Sequence, residues 1–433
     1  MDELEVLDLE KFQYANKEID YWNCPIEEFE KELKRLKDLS GFYDSKQNGE
    51  KLFINSVYGS IASVFCVLYK LDVAEAITLQ GQDLNHYSEN AINKYFSGIF
   101  QEDAELHNKL EVPTEIAKTF KIQYGRTTDN GPLPKAKKEY SHIDGDFSMT
   151  VAGDTDSLYV EFGRLTKYFN IPVEKQTKFV VDLWEKGLQL YMFKMYDEYA
   201  RMYNCDKNEE VLELEKICRT ALLYAKKHYA MEEVWEEPGV YLGDMEEIVY
   251  KGLEVVQGST PPYARKCQKD MIEFVLRSYI KDERPSYQSL IDRLKKYKSE
   301  MKAQPVEDIA KGASIGDYEK FILDDKQKLV VALHCPIHVK ASGFYNHTLL
   351  TNKKYLSKYS RLKTGEKCKW YYTKKPGAEV FAFAPNYYPI EFAPPVDYDT
   401  QFEKMILNPL NKLIAILGYD ELNVNLCYSE ELF

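Results

Sequence analysis

Gly153-Asp154-Thr155-Asp156-Ser157 places two carboxylates two residues apart, between two runs that alternate in polarity. The runs are Phe147-Ser148-Met149-Thr150-Val151-Ala152 and Leu158-Tyr159-Val160-Glu161-Phe162, and such alternation marks half-buried strands. Gly and Asp at the junction predict a tight hairpin. Two acids on the tip of a stiff hairpin offer the oxygen ligands that suit Mg²⁺. The same residues also suit a polar turn whose acids face water, and the remainder of the chain has to separate the two.

The chain has 433 residues and 44% hydrophobic content, enough for real cores distributed over sub-domains. No stretch is long and apolar enough to span a bilayer, and the acidic start Met1-Asp2-Glu3-Leu4-Glu5 is unlike a signal or transit peptide. The eight cysteines (Cys24, Cys66, Cys205, Cys218, Cys267, Cys335, Cys368, Cys427) include no C-x-x-C pair. They read as buried thiols of a reducing compartment, so Asn346-His347-Thr348 carries no glycan. A net charge of −13 weighs mildly against a nucleic-acid partner, although local basic surfaces can coexist with an acidic remainder.

Upstream of the acids, Pro25, Glu27 and Glu28 suit a helix start, with Ile26, Phe29, Leu33 and Leu36 on one face and Lys31, Lys34, Arg35 and Lys37 largely off it. In Lys46–Ser60, a helix stacks Lys51, Asn55 and Tyr58 at i, i+4 and i+7. Such a row suits a triphosphate and a base, and Gly59 removes a side chain beside it; a mixed helix face with a glycine C-cap fits equally. Helical character continues over 63–98, while 101–146 gathers Asp129-Asn130-Gly131-Pro132, Lys135, Lys137 and Lys138 and reads as a loop-rich excursion.

Downstream, Val180, Trp184, Leu188, Tyr191 and Met195 form a core stripe at helical spacing. Leu212-Glu213-Leu214-Glu215-Lys216 alternates like a strand with both glutamates on one side. Lys226-Lys227-His228-Tyr229 follows an apolar run, so a strand here carries either an anion-binding or a solvated lysine pair. Gly252-Leu253-Glu254 and Ser259-Thr260-Pro261-Pro262 break the chain at a sub-domain boundary. Beyond it a long amphipathic helix carries Cys267, Met271, Phe274, Val275 and Tyr279 on one side. His334-Cys335-Pro336-Ile337-His338 lacks a fourth ligand at a zinc spacing.

Taken in order, Lys51-x-x-x-Asn55-Ser56-x-Tyr58-Gly59, Gly153-Asp154-Thr155-Asp156-Ser157 and Lys226-Lys227-x-Tyr229 resemble the second, third and lysine-lysine-x-tyrosine motifs of the family B DNA polymerases, most nearly the T-even phage replicative type. The resemblance continues through Gly252-Leu253-Glu254, Ser259-Thr260-Pro261, Asp308-Ile309-Ala310-Lys311 and Cys335-Pro336-x-His338. It covers residues 48–347, with Ala152 standing where many relatives have tyrosine.

This resemblance implies an α+β fold: residues 1–62 as the end of the fingers, 63–262 as a palm of antiparallel sheet with helices, and 263–433 as a mainly helical thumb with a clamp-binding tail. It assigns Asp156 and Asp154, with Glu215 or alternatively Glu213, to two catalytic Mg²⁺ ions. Lys51 and Asn55 meet the incoming deoxynucleoside triphosphate, with Tyr58 and Gly59 against the nascent base pair. Lys226, Lys227, Tyr229 and Thr260 contact primer-template DNA, and lysine–phosphate contacts make that binding salt-sensitive.

The family's exonuclease domain and its first motif, D-x-x-S-L-Y-P-S, are not found upstream of Lys51. Asp38-Leu39-Ser40-Gly41-Phe42-Tyr43-Asp44-Ser45 is a look-alike with polar flanks, too near Lys51 to serve. The expectation is therefore a split polymerase whose second chain supplies the N-terminal part, the exonuclease and the carboxylate that completes the second metal site. Tyr428–Phe433 is the expected docking peptide for a sliding clamp, and the setting is the cytoplasm of a phage's bacterial host. The alternative is a polymerase-derived DNA-binding or scaffold protein; an unrelated D-x-D enzyme leaves the helix motif and the lysine pair unexplained.

Overall fold

The computed structural model describes residues 19–21, 23–120, 148–154, 157–236, 240–241, 247–280, 283–324 and 328–427. Two compact units emerge, one of residues 1–89 with 155–157, the other of 90–154 and 158–433.

The first unit is built on helix α1, Ile26–Ala62, which runs unbroken through the look-alike at Asp38–Ser45 and the Lys51–Gly59 motif. Pro25 precedes it in an extended conformation, and Glu27 and Glu28 lie in its first turn, where the exposed N–H groups favour acids. Glu32 is its one buried described residue, accepting from Arg35 Nη2 at 2.6 Å and Arg35 Nε at 2.7 Å. The stripe Ile26, Phe29 and Leu33 stays exposed. The turn after α1 closes on Lys70 N–H to Ile61 C=O at 2.9 Å, and helix α2 runs Leu71–Lys94.

In the second unit a π-turn at Tyr95–Ile99 extends α2. Residues 101–120 differ from the loop expected there: short helices at Ala104–Lys109 and Thr114–Ala117 wrap an aromatic cluster. Gln101 Nε2 bonds the carbonyls of Phe96 at 2.6 Å and Phe120 at 2.8 Å, while Phe100 packs edge-on against His107 and Phe120. Aromatic burial thus compensates for a weak helical pattern. The rest of the excursion, with Asp129–Pro132, Lys135, Lys137 and Lys138, lies outside the described residues.

Strands β1, Thr150–Asp154, and β2, Ser157–Val160, pair as the expected hairpin. Helices α3, Val173–Leu183, and α4, Gln189–Met202, follow, joined by a π-turn at Trp184–Leu188. That turn holds one residue more than an α-turn, so the buried face moves on by one position. Val180, Trp184 and Leu188 are buried as expected, but Met192 and Tyr196 take the places predicted for Tyr191 and Met195.

Strands β3, Lys216–Ala225, β4, His228–Glu236, β5, Val240–Tyr241, and β6, Glu247–Lys251, form an antiparallel sheet in which β4 pairs with the other three. Helix α5, Pro262–Ile280, starts beside it with Cys267, Met271 and Val275 buried. One hydrophobic core runs from Leu222 and Ala230 through Leu253, Val255 and Met271 to Leu294, Tyr345 and Ile406, continuous across the stretch expected to divide sub-domains.

Residues 263–433, expected to be mainly helical, carry most of α5, helices α6, Tyr287–Met301, and α7, Ile337–Thr351, and several shorter helices, together with short strands. Strands β7, Lys311–Ser314, β10, Lys367–Tyr372, and β11, Val380–Phe383, make an antiparallel sheet in the order β11-β10-β7. The hairpin of β8, Ile322–Asp324, and β9, Leu329–Val331, lies between β7 and β10 in sequence. Asn346 is fully buried on α7 and bonds both the N–H and the C=O of Leu362 at 2.8 Å, which removes the sequon's acceptor amide from solvent. No described helix is long and apolar enough to cross a membrane.

Candidate active site

Helix α1 stacks Lys51, Asn55 and Tyr58 on one exposed face, as the i, i+4, i+7 spacing requires. The Tyr58 hydroxyl lies 2.9 Å from Thr78 Oγ1 on α2, which fixes the ring while 42% of the residue stays exposed. Among the described residues nothing lies within 4 Å of a β-carbon placed on Gly59, so the face beside Tyr58 is open there. A long cation, an amide and a tethered aromatic hydroxyl therefore face solvent in one row.

The acid hairpin belongs to the other unit, apart from residues 155–157. Asp154 closes β1, while Thr155 and Asp156 lie outside the described residues, as does the side chain of Asp154. The base of the hairpin is tied down by a residue that sequence reading passed over. Asn93, fully buried at the end of α2, accepts from Met149 N–H at 2.8 Å and donates to Ser148 Oγ at 2.9 Å. Glu161 N–H to Met149 C=O at 2.8 Å continues the pairing beyond β2. A buried amide needs partners, and these two bonds supply them, but no pattern within the largely polar α2 singles Asn93 out.

Glu213 and Glu215 both remain exposed, in alternation with half-buried Leu212 and Leu214. The alternation therefore survives, but the strand predicted at 212–216 begins only at Lys216. The described ladder starts at Lys216, which pairs with Glu236, and residues 237–239, which follow Glu236, lie outside the described residues.

Lys226 and Lys227 require a larger correction. They sit in the exposed two-residue turn between β3 and β4 rather than along a strand, so burial never taxes their charge. Lys227 adopts φ +62°, a left-handed conformation common in tight turns. His228 Nδ1 lies 2.8 Å from Lys226 C=O and braces the turn. Behind it, Gly252 at φ +67° comes so close that a β-carbon there would stand 2.2 Å from Lys227 O. Tyr229 enters the sheet opposite Leu223 and Lys251, and its ring meets that of Tyr159 on β2 edge-on at 5.6 Å between centroids.

Thr260 is 4% exposed and donates its hydroxyl to Glu254 C=O at 2.7 Å, so it braces the 254–260 loop from inside. Gly312 N–H bonds Ser259 C=O at 2.9 Å, which joins this loop to the strand that follows Asp308-Ile309-Ala310. Burial pushes the Cys335 thiol up and the His338 imidazole down. Among the described residues no three His, Cys, Asp or Glu side chains gather as a metal cluster.

These features have a match among known proteins. The family model for DNA polymerase family B covers residues 27–313, most of the chain, and the chain belongs to that family. A DNA-directed DNA polymerase of Escherichia phage RB69 is 23% identical to it over 243 residues, which make up 53% of this chain and 22% of that protein. The chain thus spans less than a quarter of that relative's length.

Proposed function

We propose that this chain is the C-terminal part of a DNA-directed DNA polymerase, adding deoxynucleotides to a primer 3′ end in the cytoplasm of a phage's bacterial host. What carries the reading is a pair of hairpins in ring contact through Tyr159 and Tyr229, one closing β1 on Asp154 and the other exposing Lys226 and Lys227 at its tip. In the proposed division, residues 1–62 end the fingers, 63–262 form the palm and 263–433 the thumb.

Each proposed role follows from what a side chain can do. Lys51 gives the triphosphate a cation and a proton donor, Asn55 an amide donor, and Tyr58 a flat ring beside the open surface at Gly59. Lys226 and Lys227 meet primer phosphates from an exposed turn, and Tyr229 sets the base of that turn. Thr260 acts indirectly, holding the shape of its loop through Glu254.

The donor set fits Mg²⁺: Asp154, Asp156 and Glu215 (or Glu213) supply hard carboxylate oxygens, and both glutamates are exposed. When bound, the ions would lower the pKa of the primer 3′-hydroxyl and neutralise charge on the triphosphate and departing pyrophosphate.

Activity in this proposal requires a partner that carries the first motif, a further metal-binding carboxylate and the exonuclease. Two observations support it. β1 and β2 form a two-stranded sheet among the described residues, and such a hairpin gains stability from a third strand. Exposed Ile26, Phe29, Leu33, Phe53 and Ile54 give α1 an apolar surface suited to a partner. Tyr428–Phe433, outside the described residues, is the proposed clamp-docking peptide.

The deciding experiment is Asp156→Asn in the assembled polymerase. Loss of nucleotide incorporation with association unchanged is expected, and surviving activity would overturn the metal assignment.

A further inference from the structure

The acid hairpin β1–β2 and the sheet of β3, β4, β5 and β6 share no backbone ladder among the described residues. Their relative placement therefore depends on side-chain packing, and the rings of Tyr159 and Tyr229 meet there at 5.6 Å with planes 65° apart. Each ring stands on a fixed base. Tyr229 lies between paired strands, next to Ala230 in the hydrophobic core, and the turn before it is blocked from receding by Gly252 against Lys227 C=O. Tyr159 lies on the strand whose partner β1 is anchored through Met149 to buried Asn93.

Tyr159 follows Asp156 by three residues, and strand alternation puts it on the same face as Ser157. We infer that Tyr159 is a positioning residue: its edge-on packing against Tyr229 sets where the lysine turn stands relative to β2, and thereby makes DNA binding selective for a recessed primer 3′ end. This rests on the polymerase reading above. Neither ring touches substrate by way of this contact; Tyr159 acts through Tyr229. A small apolar side chain fills part of the space but has no ring edge or face, so the orientation is lost while the core remains.

The test measures fluorescence anisotropy of the full chain at low salt against two duplexes of equal length, one with a recessed 3′ end and one blunt. The wild-type chain is expected to prefer the recessed end. Tyr159→Leu should lose about two- to tenfold of that preference with blunt-duplex affinity unchanged, the range that one edge-to-face pair supports. Tyr159→Phe should retain the preference, and Tyr159→Met replaces the leucine variant if that one does not fold. Equal loss on both duplexes would mark a merely structural residue and overturn the inference. An unchanged preference in Tyr159→Leu would also overturn it while leaving the polymerase reading intact. A wild-type chain that binds neither duplex, even with the upstream polymerase part added, would instead remove the polymerase reading itself.

Discussion

Gly252 and Lys227 touch through backbone alone: a β-carbon on Gly252 would stand 2.2 Å from the Lys227 carbonyl oxygen. The contact lets the strand end at β6 support the lysine turn from behind, and Gly252 also needs its positive φ of 67°. Gly252→Ala is expected to cost about 1–3 kcal/mol for the left-handed backbone alone, and to displace the turn as well. Thermal unfolding should therefore shift downward, and the salt-dependent part of DNA affinity should fall. Unchanged stability and affinity in the alanine variant would mean that this contact does not shape the turn.

Gly187 is constrained differently. It lies in the π-turn between α3 and α4, and a β-carbon there would meet both Tyr95 Oη and Leu106 Cδ2 at 2.6 Å. Overpacking of this kind costs about 1–3 kcal/mol, so Gly187→Ala should lower the denaturant midpoint. The Tyr95 hydroxyl is buried without a hydrogen-bond partner among the described residues, and burial pushes its pKa up. Removing a polar group in that state is neutral or stabilising. Tyr95→Phe should leave the midpoint level or raised, and should recover part of the Gly187→Ala loss when the two are combined.

The thiols respond to pH in a defined sense. Burial pushes Cys218 and Cys267 up to about 12 and Cys368 up to about 11. The folded chain therefore keeps these protons where the unfolded chain sheds them, so their contribution to stability is full below roughly pH 8.5 and declines as pH rises toward 11 to 12. Urea midpoints at pH 8 and pH 10 should differ in that direction. At pH 8 a maleimide should label exposed Cys205 first and reach Cys267 and Cys368 only after unfolding. Early labelling of Cys267 in the folded chain would contradict its burial.

The elements legible in the sequence were those whose pattern is local. The Lys51–Gly59 row needs only helical spacing, and the β1–β2 hairpin needs only alternation around a turn; both formed where expected. What escaped depends on partners distant in sequence. Leu212–Glu215 alternates like a strand, yet the described ladder with β4 starts only at Lys216. Tyr191 and Met195 follow helical spacing, yet the π-turn at Trp184–Leu188 passes the buried face to Met192 and Tyr196.

The site divides along the same line. Residue types announced the lysine pair, but the β3–β4 pairing puts it in a turn with Gly252 packed behind, and no neighbour in sequence signals that contact. The resemblance assigns Thr260 a DNA contact, and the fold adds that its hydroxyl donates to the Glu254 carbonyl, a partner that spacing alone does not reveal. Asn93 anchors the acid hairpin across more than fifty intervening residues, beyond the reach of any local pattern.

The proposed division of the polymerase is tested most directly by primer extension with the purified chain, alone and after addition of an upstream polymerase part bearing D-x-x-S-L-Y-P-S. The chain alone should extend a primer little or not at all, and the pair should extend it in the presence of Mg²⁺. Robust incorporation by the chain alone would contradict a site completed by a partner, and no incorporation by an associated pair would contradict the polymerase function.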